Sequence, residues 1–243
     1  MASSISIQAG STKPQTFKKF LLICGVLSSL FYIGENVFVP MQYPGYSWSS
    51  QTVSELSAIG APTRSLWVAW SFVYTILVVA FGFGIWQMAG RNRDTRTLGG
   101  LIFVYGALGF GWPFAPMHTR EVLASGGGTY SDSLHIIFSV VTIILMLLVI
   151  GFGAAALGKV FRIYSIVTAA LFIPFGLLTS MDARKLEANL PTPMMGIWER
   201  INICLFLLWI IVLAFALLGR TELPHALGGE LKGESNRIKE NCV

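Results

Sequence analysis

The sequence predicts an all-α membrane protein, a polytopic bundle of six transmembrane helices, on three observations. Of the 243 residues, 54% are hydrophobic and only 12% are charged, against about 25% charged residues in soluble domains. The apolar residues fall in six long segments, and a helix of about 20 residues crosses the hydrocarbon core of a bilayer. Basic residues flank these segments and give a formal net charge of +5. Membrane topology explains them better than binding to nucleic acid, which we do not expect.

We divide the chain into three regions by composition. Residues 1–17 are rich in Ser, Thr and Gln and are expected to form a disordered cytoplasmic arm. Residues 18–220 contain all six apolar segments and form the membrane domain. Residues 221–243 are polar and rich in glycine, which predicts a disordered cytoplasmic tail.

The first two predicted spans are Phe20–Val39 and Ser65–Met88. Ser28, Tyr32 and Glu35 share one helical face of the first span. A carboxylate that faces lipid is costly, so this face should contact other helices.

The third predicted span, Leu98–Ala115, is rich in glycine, and small residues let membrane helices approach closely. Pro113 and Pro116 are expected to kink or end it. The glycines are Gly99, Gly100, Gly106, Gly109 and Gly111.

The last three predicted spans are Ser133–Leu157, Phe161–Met181 and Met195–Gly219. Only a short turn with Lys159 separates the fourth span from the fifth, and Pro174 predicts a kink in the fifth.

The distribution of lysine and arginine predicts the orientation in the membrane. Twelve of the 17 lie in the N-terminal arm, in the two short connections after spans two and four, and in the tail. The remaining five lie in or beside the three longer connections. We therefore expect both termini to be cytoplasmic and the longer connections to face outward, in a bacterial inner membrane or a plasma membrane.

The outward side holds nearly all of the remaining ionisable side chains, which at membrane depth indicate a functional site. Asp132, His135, Ser139 and Thr142 share one helical face at the start of span four. Asp132 could orient His135 as a general base, a metal ligand or a proton relay, which makes these two the catalytic candidates. Alternatively, Asp132 caps the helix and His135 is a structural residue.

Two histidines are also the candidate metal ligands. His118 and His135 could join one carboxylate, from Glu35, Glu121 or Glu199, in a site outside the bilayer. A catalytic zinc usually has three protein ligands. Zinc is therefore an open candidate cofactor, although the spacing does not require it.

The same groups could instead line a pocket for a small polar ligand or a lipid headgroup. Arg120 and Arg200 could then bind an anionic group, although Arg200 could also anchor its helix at the membrane interface. The candidate ligand-binding residues are Glu35, Ser54, His118, Arg120, Glu199 and Arg200.

Four short motifs resemble one known family. They are Ser54-Glu55-Leu56, Pro116-Met117-His118, Ser131-Asp132-x-x-His135 and Glu199-Arg200. In their order and placement they resemble the prokaryotic six-helix membrane family catalogued as domain of unknown function 998, over roughly Lys18 to Arg220. The resemblance implies a six-span integral membrane protein without an assigned reaction.

A looser likeness is to the ceramidase and adiponectin-receptor-like membrane hydrolases, which have seven spans and a zinc held by three histidines beside a serine and an aspartate. Ser54, Asp132, His118 and His135 are the matching candidates here. The chain lacks the late span with paired histidines that those hydrolases have.

The leading hypothesis is an integral membrane protein whose outward pocket binds a small polar ligand or a lipid headgroup, with membrane lipids as its surroundings. The first alternative is a metal-dependent lipid hydrolase embedded in the membrane. A further alternative is a structural membrane subunit. A transporter is disfavoured, because the cytoplasmic half offers no matching charges at membrane depth.

Overall fold

The computed structural model describes residues 13–240, and the side chains of residues 16–186 and 188–220. This part of the chain contains seven α-helices and no β-strand. The helices are α1 (Lys13–Phe38), α2 (Arg64–Met88), α3 (Arg93–Leu108), α4 (Arg120–Ala124), α5 (Tyr130–Ala156), α6 (Lys159–Glu187) and α7 (Met195–Glu240).

Six of these helices are long and apolar enough to cross a membrane, and only the five-residue α4 is not. The predicted all-α, six-span architecture is therefore confirmed for residues 13–240. The sidedness of the termini stays a prediction. The apolar part of α7 ends at Arg220, and the prediction for the polar tail beyond it is not tested. Of the predicted N-terminal arm, residues 1–12 lie outside the described residues.

Several predicted span boundaries differ from the structure; the first helix, for example, begins at Lys13, seven residues before the predicted start at Phe20. The third helix begins at Arg93, five residues before the predicted start, because the Asn92 side chain accepts a hydrogen bond from the backbone N–H of Thr95 and caps it. After Leu108 the chain continues as a 3₁₀ helix over Gly109–Phe114. The helix α6 continues through Pro174 to Glu187, six residues beyond the predicted end of the fifth span at Met181.

The six long helices form a closed ring. Each one contacts its neighbours along the chain, with α3 against α5, and α7 closes the ring against α1. The ring has two unlike ends. The short-turn end carries connections 89–92 and 157–158, and the loop end carries connections 39–63, 115–129 and 188–194.

Glycine brings α3 close to its neighbours, as predicted. A Cβ on Gly99 would lie 2.5 Å from the backbone nitrogen of Trp86 on α2, and one on Gly109 would lie 2.4 Å from the Thr75 hydroxyl. Gly106 and Gly111 approach other side chains similarly, whereas Gly100 has open space around it.

The half of the ring near the short-turn end is densely packed. Trp209 is fully buried there, and its indole N–H donates to the Ser165 hydroxyl over 2.9 Å. Phe81, Ile85 and Leu213 fill the same core. The half near the loop end is more open, and the candidate residues lie there.

Candidate functional site

A cavity of about 420 Å³ lies within the ring, toward the loop end. Residues of α2, α3, α5, α6 and α7 form its walls, together with the first loop. Four of the predicted site residues line it: Ser54, Asp132, His135 and Glu199. The other four, Glu35, His118, Arg120 and Arg200, are not among its lining residues.

His135 lies on the α5 wall and is 8% exposed. Its Nδ1 is 2.8 Å from the backbone carbonyl oxygen of Ala115. A carbonyl can only accept a hydrogen bond, so Nδ1 carries the proton and Nε2 of the neutral ring is an acceptor. The Trp112 ring stands edge-on at a centroid distance of 5.0 Å. The imidazole is therefore held in one orientation beside the cavity.

Asp132 forms its hydrogen bonds with His118 rather than with His135. Its Oδ2 is 2.8 Å from Nδ1 of His118, and its Oδ1 accepts the backbone N–H of His118 over 2.7 Å. The same carboxylate accepts the backbone N–H of Thr129 and completes a capping box at the start of α5. Asp132 thus takes part in capping α5 and also ties the second loop to that helix, while its catalytic role stays a prediction.

Arg120 fastens the loop end together. Its Nε and Nη2 donate to the two carboxylate oxygens of Glu55 over 2.8 and 2.6 Å, and Nη2 also donates to the carbonyl of Ser50. Hydrogen bonding to Glu55 raises the pKa of the Arg120 guanidinium. The Glu55 side chain is 3% exposed. Arg120 therefore already has a bidentate carboxylate partner from the first loop.

Arg200 is also engaged by the protein itself. Its Nη1 donates to the carbonyls of Trp48, Gln51 and Gly196 over 2.9 to 3.0 Å. Its Nη2 donates to the Tyr46 hydroxyl over 2.6 Å. Burial raises the pKa of Tyr46, so the phenol is neutral at pH 7. Both arginines predicted to bind an anion thus hold the first loop in place.

Glu199, on the first turns of α7, is the acidic residue of the cavity wall without a cation partner. It accepts the backbone N–H of Val53, and Ser54 lies beside it. Among the described side chains, no cation lies within ion-pairing distance of it.

Glu35 lies one layer behind the cavity. It is fully buried, and its Oε1 accepts a hydrogen bond from the Ser71 hydroxyl over 2.9 Å. Ser71 in turn lines the cavity. The other oxygen, Oε2, has no hydrogen-bond partner.

Three residues of the site, Glu55, Thr142 and Asn202, were not among the predicted site residues. Glu55 was not recognised as the partner of Arg120, because 65 residues separate them and no spacing rule links them. Thr142 and Asn202 line the cavity, and Oγ1 of the first and Oδ1 of the second are buried without partners. The helical spacing from His135 to Thr142 and from Glu199 to Asn202 was a usable signal for both.

The described part of the chain contains no cluster of side chains that would support metal binding. No group of three or more His, Cys, Asp or Glu side chains there is placed to hold a metal ion. His118 and His135 use their Nδ1 atoms on different partners. Zinc stays a prediction, which metal analysis of wild type and His135→Ala would test.

Comparison with known proteins gives one match. The model of a family described as "Protein of unknown function (DUF998)" matches residues 22–216. The searches of curated proteins and of solved structures gave no match.

Proposed function

The chain belongs to the family described as protein of unknown function (DUF998), and because that description assigns no reaction, we propose its function from the cavity. The proposal is a multi-pass membrane protein that binds a small polar ligand or a lipid headgroup in the cavity near the loop end. By the distribution of basic residues, this end faces outward.

The observation that carries the proposal is a pair of buried polar atoms without partners at the cavity wall. Thr142 Oγ1 and Asn202 Oδ1 come from α5 and α7, the two helices on either side of α6 in the ring. Leaving such an atom unpaired costs about 1–3 kcal/mol. A ligand that hydrogen-bonds both would remove this cost, and so would ordered water.

Binding is favoured over transport by the packing of the other half. Phe81, Trp209 and Leu213 are fully buried between the cavity and the short-turn end. Among the described residues, the buried acidic side chains, Glu35, Glu55 and Asp182, all lie toward the loop end. A ligand in the cavity therefore has access from the loop end or the bilayer, without a polar path across the ring. The hydrolase and structural-subunit alternatives have no comparable supporting observation.

The test is to identify small molecules that remain with the protein during mild purification. Ser139 on α5 and Thr179 on α6 line the cavity from two neighbouring helices. Phenylalanine at either position should fill it. We expect wild-type protein to carry about one molecule of a defined compound per chain by mass spectrometry, and Ser139→Phe and Thr179→Phe to lose most of it.

Val141→Phe is the matched control, because Val141 is on α5 but exposed and outside the cavity wall. It should keep the compound. The proposal fails if all four well-folded proteins carry the same molecules in the same amounts.

A further inference from the structure

We propose that the ligand is an amphiphile with an ammonium headgroup and a hydrocarbon chain, an inference that rests on the proposed function. Four properties of the cavity support it: the hydrogen-bonding character of its polar atoms, its acidic side chains without an ion-pair partner among the described residues, its aromatic lining and its continuation into an apolar region open to lipid.

Three of the polar groups at the wall offer acceptors, whereas the Thr142 hydroxyl can either donate or accept. Nε2 of His135 accepts because Nδ1 donates to Ala115. Oδ1 of Asn202 is an acceptor without a donor, and an ionised Glu199 offers acceptor oxygens only. A ligand that satisfies these three groups must supply N–H or O–H donors, so an anionic headgroup is a poor fit.

The charges around the cavity favour a cation among such donors. Glu55 is paired with Arg120, and Asp132 with His118. Glu199 and, behind Ser71, Glu35 have no ion-pair partner among the described side chains. An acidic group at membrane depth is costly unless it is paired. An ammonium ion would provide that pairing.

Arg64, the one lysine or arginine among the described residues of the wall, makes its hydrogen bonds elsewhere. Its Nη1 donates to the carbonyl of Ser57 over 2.5 Å, and its Nη2 to that of Pro113 over 3.3 Å. It thus joins the first loop to the end of the third span. It has no described contact with Glu199, so this acid of the wall remains available to a cationic headgroup.

Aromatic side chains surround the same volume. Tyr32 and Tyr74 pack with ring centroids 4.7 Å apart, and the hydroxyls of Tyr74 and Tyr105 are 2.8 Å apart. Trp67 and Trp112 also line the wall. The faces of Trp and Tyr rings attract ammonium groups, most strongly where water is excluded. This lining favours an ammonium headgroup over a neutral hydroxyl.

The cavity is long enough for a hydrocarbon chain. Its lining on α5 extends from Asp132 to Met146, which at 1.5 Å per residue is about 21 Å. Toward the deep end the lining becomes apolar, with Ile143, Met146 and Phe172.

The cavity also reaches the lipid-facing surface between α5 and α6. Ile136 and Val140 on α5 line it and are 53% and 50% exposed. Ser180 on α6 lines it and is exposed. A ligand could therefore place its headgroup among the polar atoms and its chain along this side. The geometry suits an amphiphile better than a water-soluble amine.

The experiment compares three 16-carbon compounds that differ only in headgroup: hexadecylamine, hexadecanol and palmitate. Binding to the full chain in dodecyl maltoside at pH 7 is measured for wild type, Glu199→Gln and Glu121→Gln. Glu121 is an exposed acid of the loop end outside the cavity wall, so its variant controls for general electrostatic attraction. We expect the wild type and Glu121→Gln to prefer the amine over the alcohol by about tenfold or more, as for a charge-assisted hydrogen bond.

In Glu199→Gln the preference for the amine should fall by about tenfold or more. Asn202→Leu, which removes an acceptor without changing the charge, should weaken amine binding less; it is the second variant if Glu199→Gln folds poorly. Equal binding of the three compounds, or tighter binding of palmitate, overturns this inference but leaves the proposed function standing if Ser139→Phe abolishes the binding. No binding of any compound, with nothing retained on purification, overturns both.

Discussion

Arg120→Ala is expected to lower the free energy of unfolding by about 3 kcal/mol, because it leaves Glu55 as a buried carboxylate without its cation. The Glu55 side chain is 3% exposed, and only Gln51 and Thr52 would still donate hydrogen bonds to it. Arg120→Lys should recover little, since a lysine cannot make the bidentate contact. Titration of detergent-solubilised protein with SDS, followed by tryptophan fluorescence, measures the change.

Arg184→Ala is the matched control, because Arg184 is an exposed arginine near the same end. It should change stability by less than about 0.5 kcal/mol. The double variant Glu55→Gln/Arg120→Met should be more stable than Arg120→Ala, because it removes both charges together.

The pH dependence of this ion pair has a definite sign. Hydrogen bonding to Glu55 raises the pKa of Arg120 above its ordinary value. When folding raises the pKa of a base, the stability that the base contributes is complete at pH values below its pKa in the unfolded chain. This stability is lost only as the pH rises through the pKa in the folded protein. The arginine side of the pair should therefore contribute fully across the neutral range. Equal stability of Arg120→Ala and Arg184→Ala would contradict the role given to the pair.

Gly99→Ala is expected to lower the free energy of unfolding by about 3 kcal/mol, which is near the upper end of the usual cost of inserting extra atoms into a packed core. The new Cβ would lie 2.5 Å from the nitrogen and 2.9 Å from the Cα of Trp86, both backbone atoms of α2. Backbone cannot move aside as a flexible side chain can, so α2 and α3 would have to separate along their contact.

Gly100→Ala is a control at the adjacent position. A Cβ on Gly100 meets nothing within 4 Å, and alanine favours a helix by up to about 1 kcal/mol over glycine. We expect this variant to be as stable as wild type or slightly more so in the same SDS titration. Equal losses of stability in Gly99→Ala and Gly100→Ala would contradict the claim that α2 and α3 approach closely because Gly99 has no side chain.

The six spans were predictable from the sequence because membrane insertion depends on local properties: the length of an apolar run and the charges that flank it. The close approach of α3 at Gly99 was also predictable, since small residues in a span indicate helix contact. The start of α3 was missed because Asn92 and Arg93 are polar and extend the helix beyond the apolar run.

The partners within the site were less predictable. Asp132 and His135 share a helical face, which suggested that they form a pair. In the structure the partner of Asp132 is His118, from the loop before α5, and the sequence does not show where that loop folds. Likewise, the sequence marks Arg120 and Arg200 as cations but does not reveal that Glu55 and the carbonyls of the first loop occupy them. Such contacts depend on how the loops fold over the ring.

The most direct test of the account is an experimental density map of the wild-type protein, purified mildly and bound to an antibody fragment for cryo-electron microscopy. The account predicts elongated density in the cavity, with its polar end within hydrogen-bonding distance of Glu199 and Asn202 and its apolar end beside Met146 and Phe172. The map of Ser139→Phe should lack this density. A wild-type cavity that holds only separate water molecules, or one closed by side chains, would contradict the central claim that this space is a ligand site.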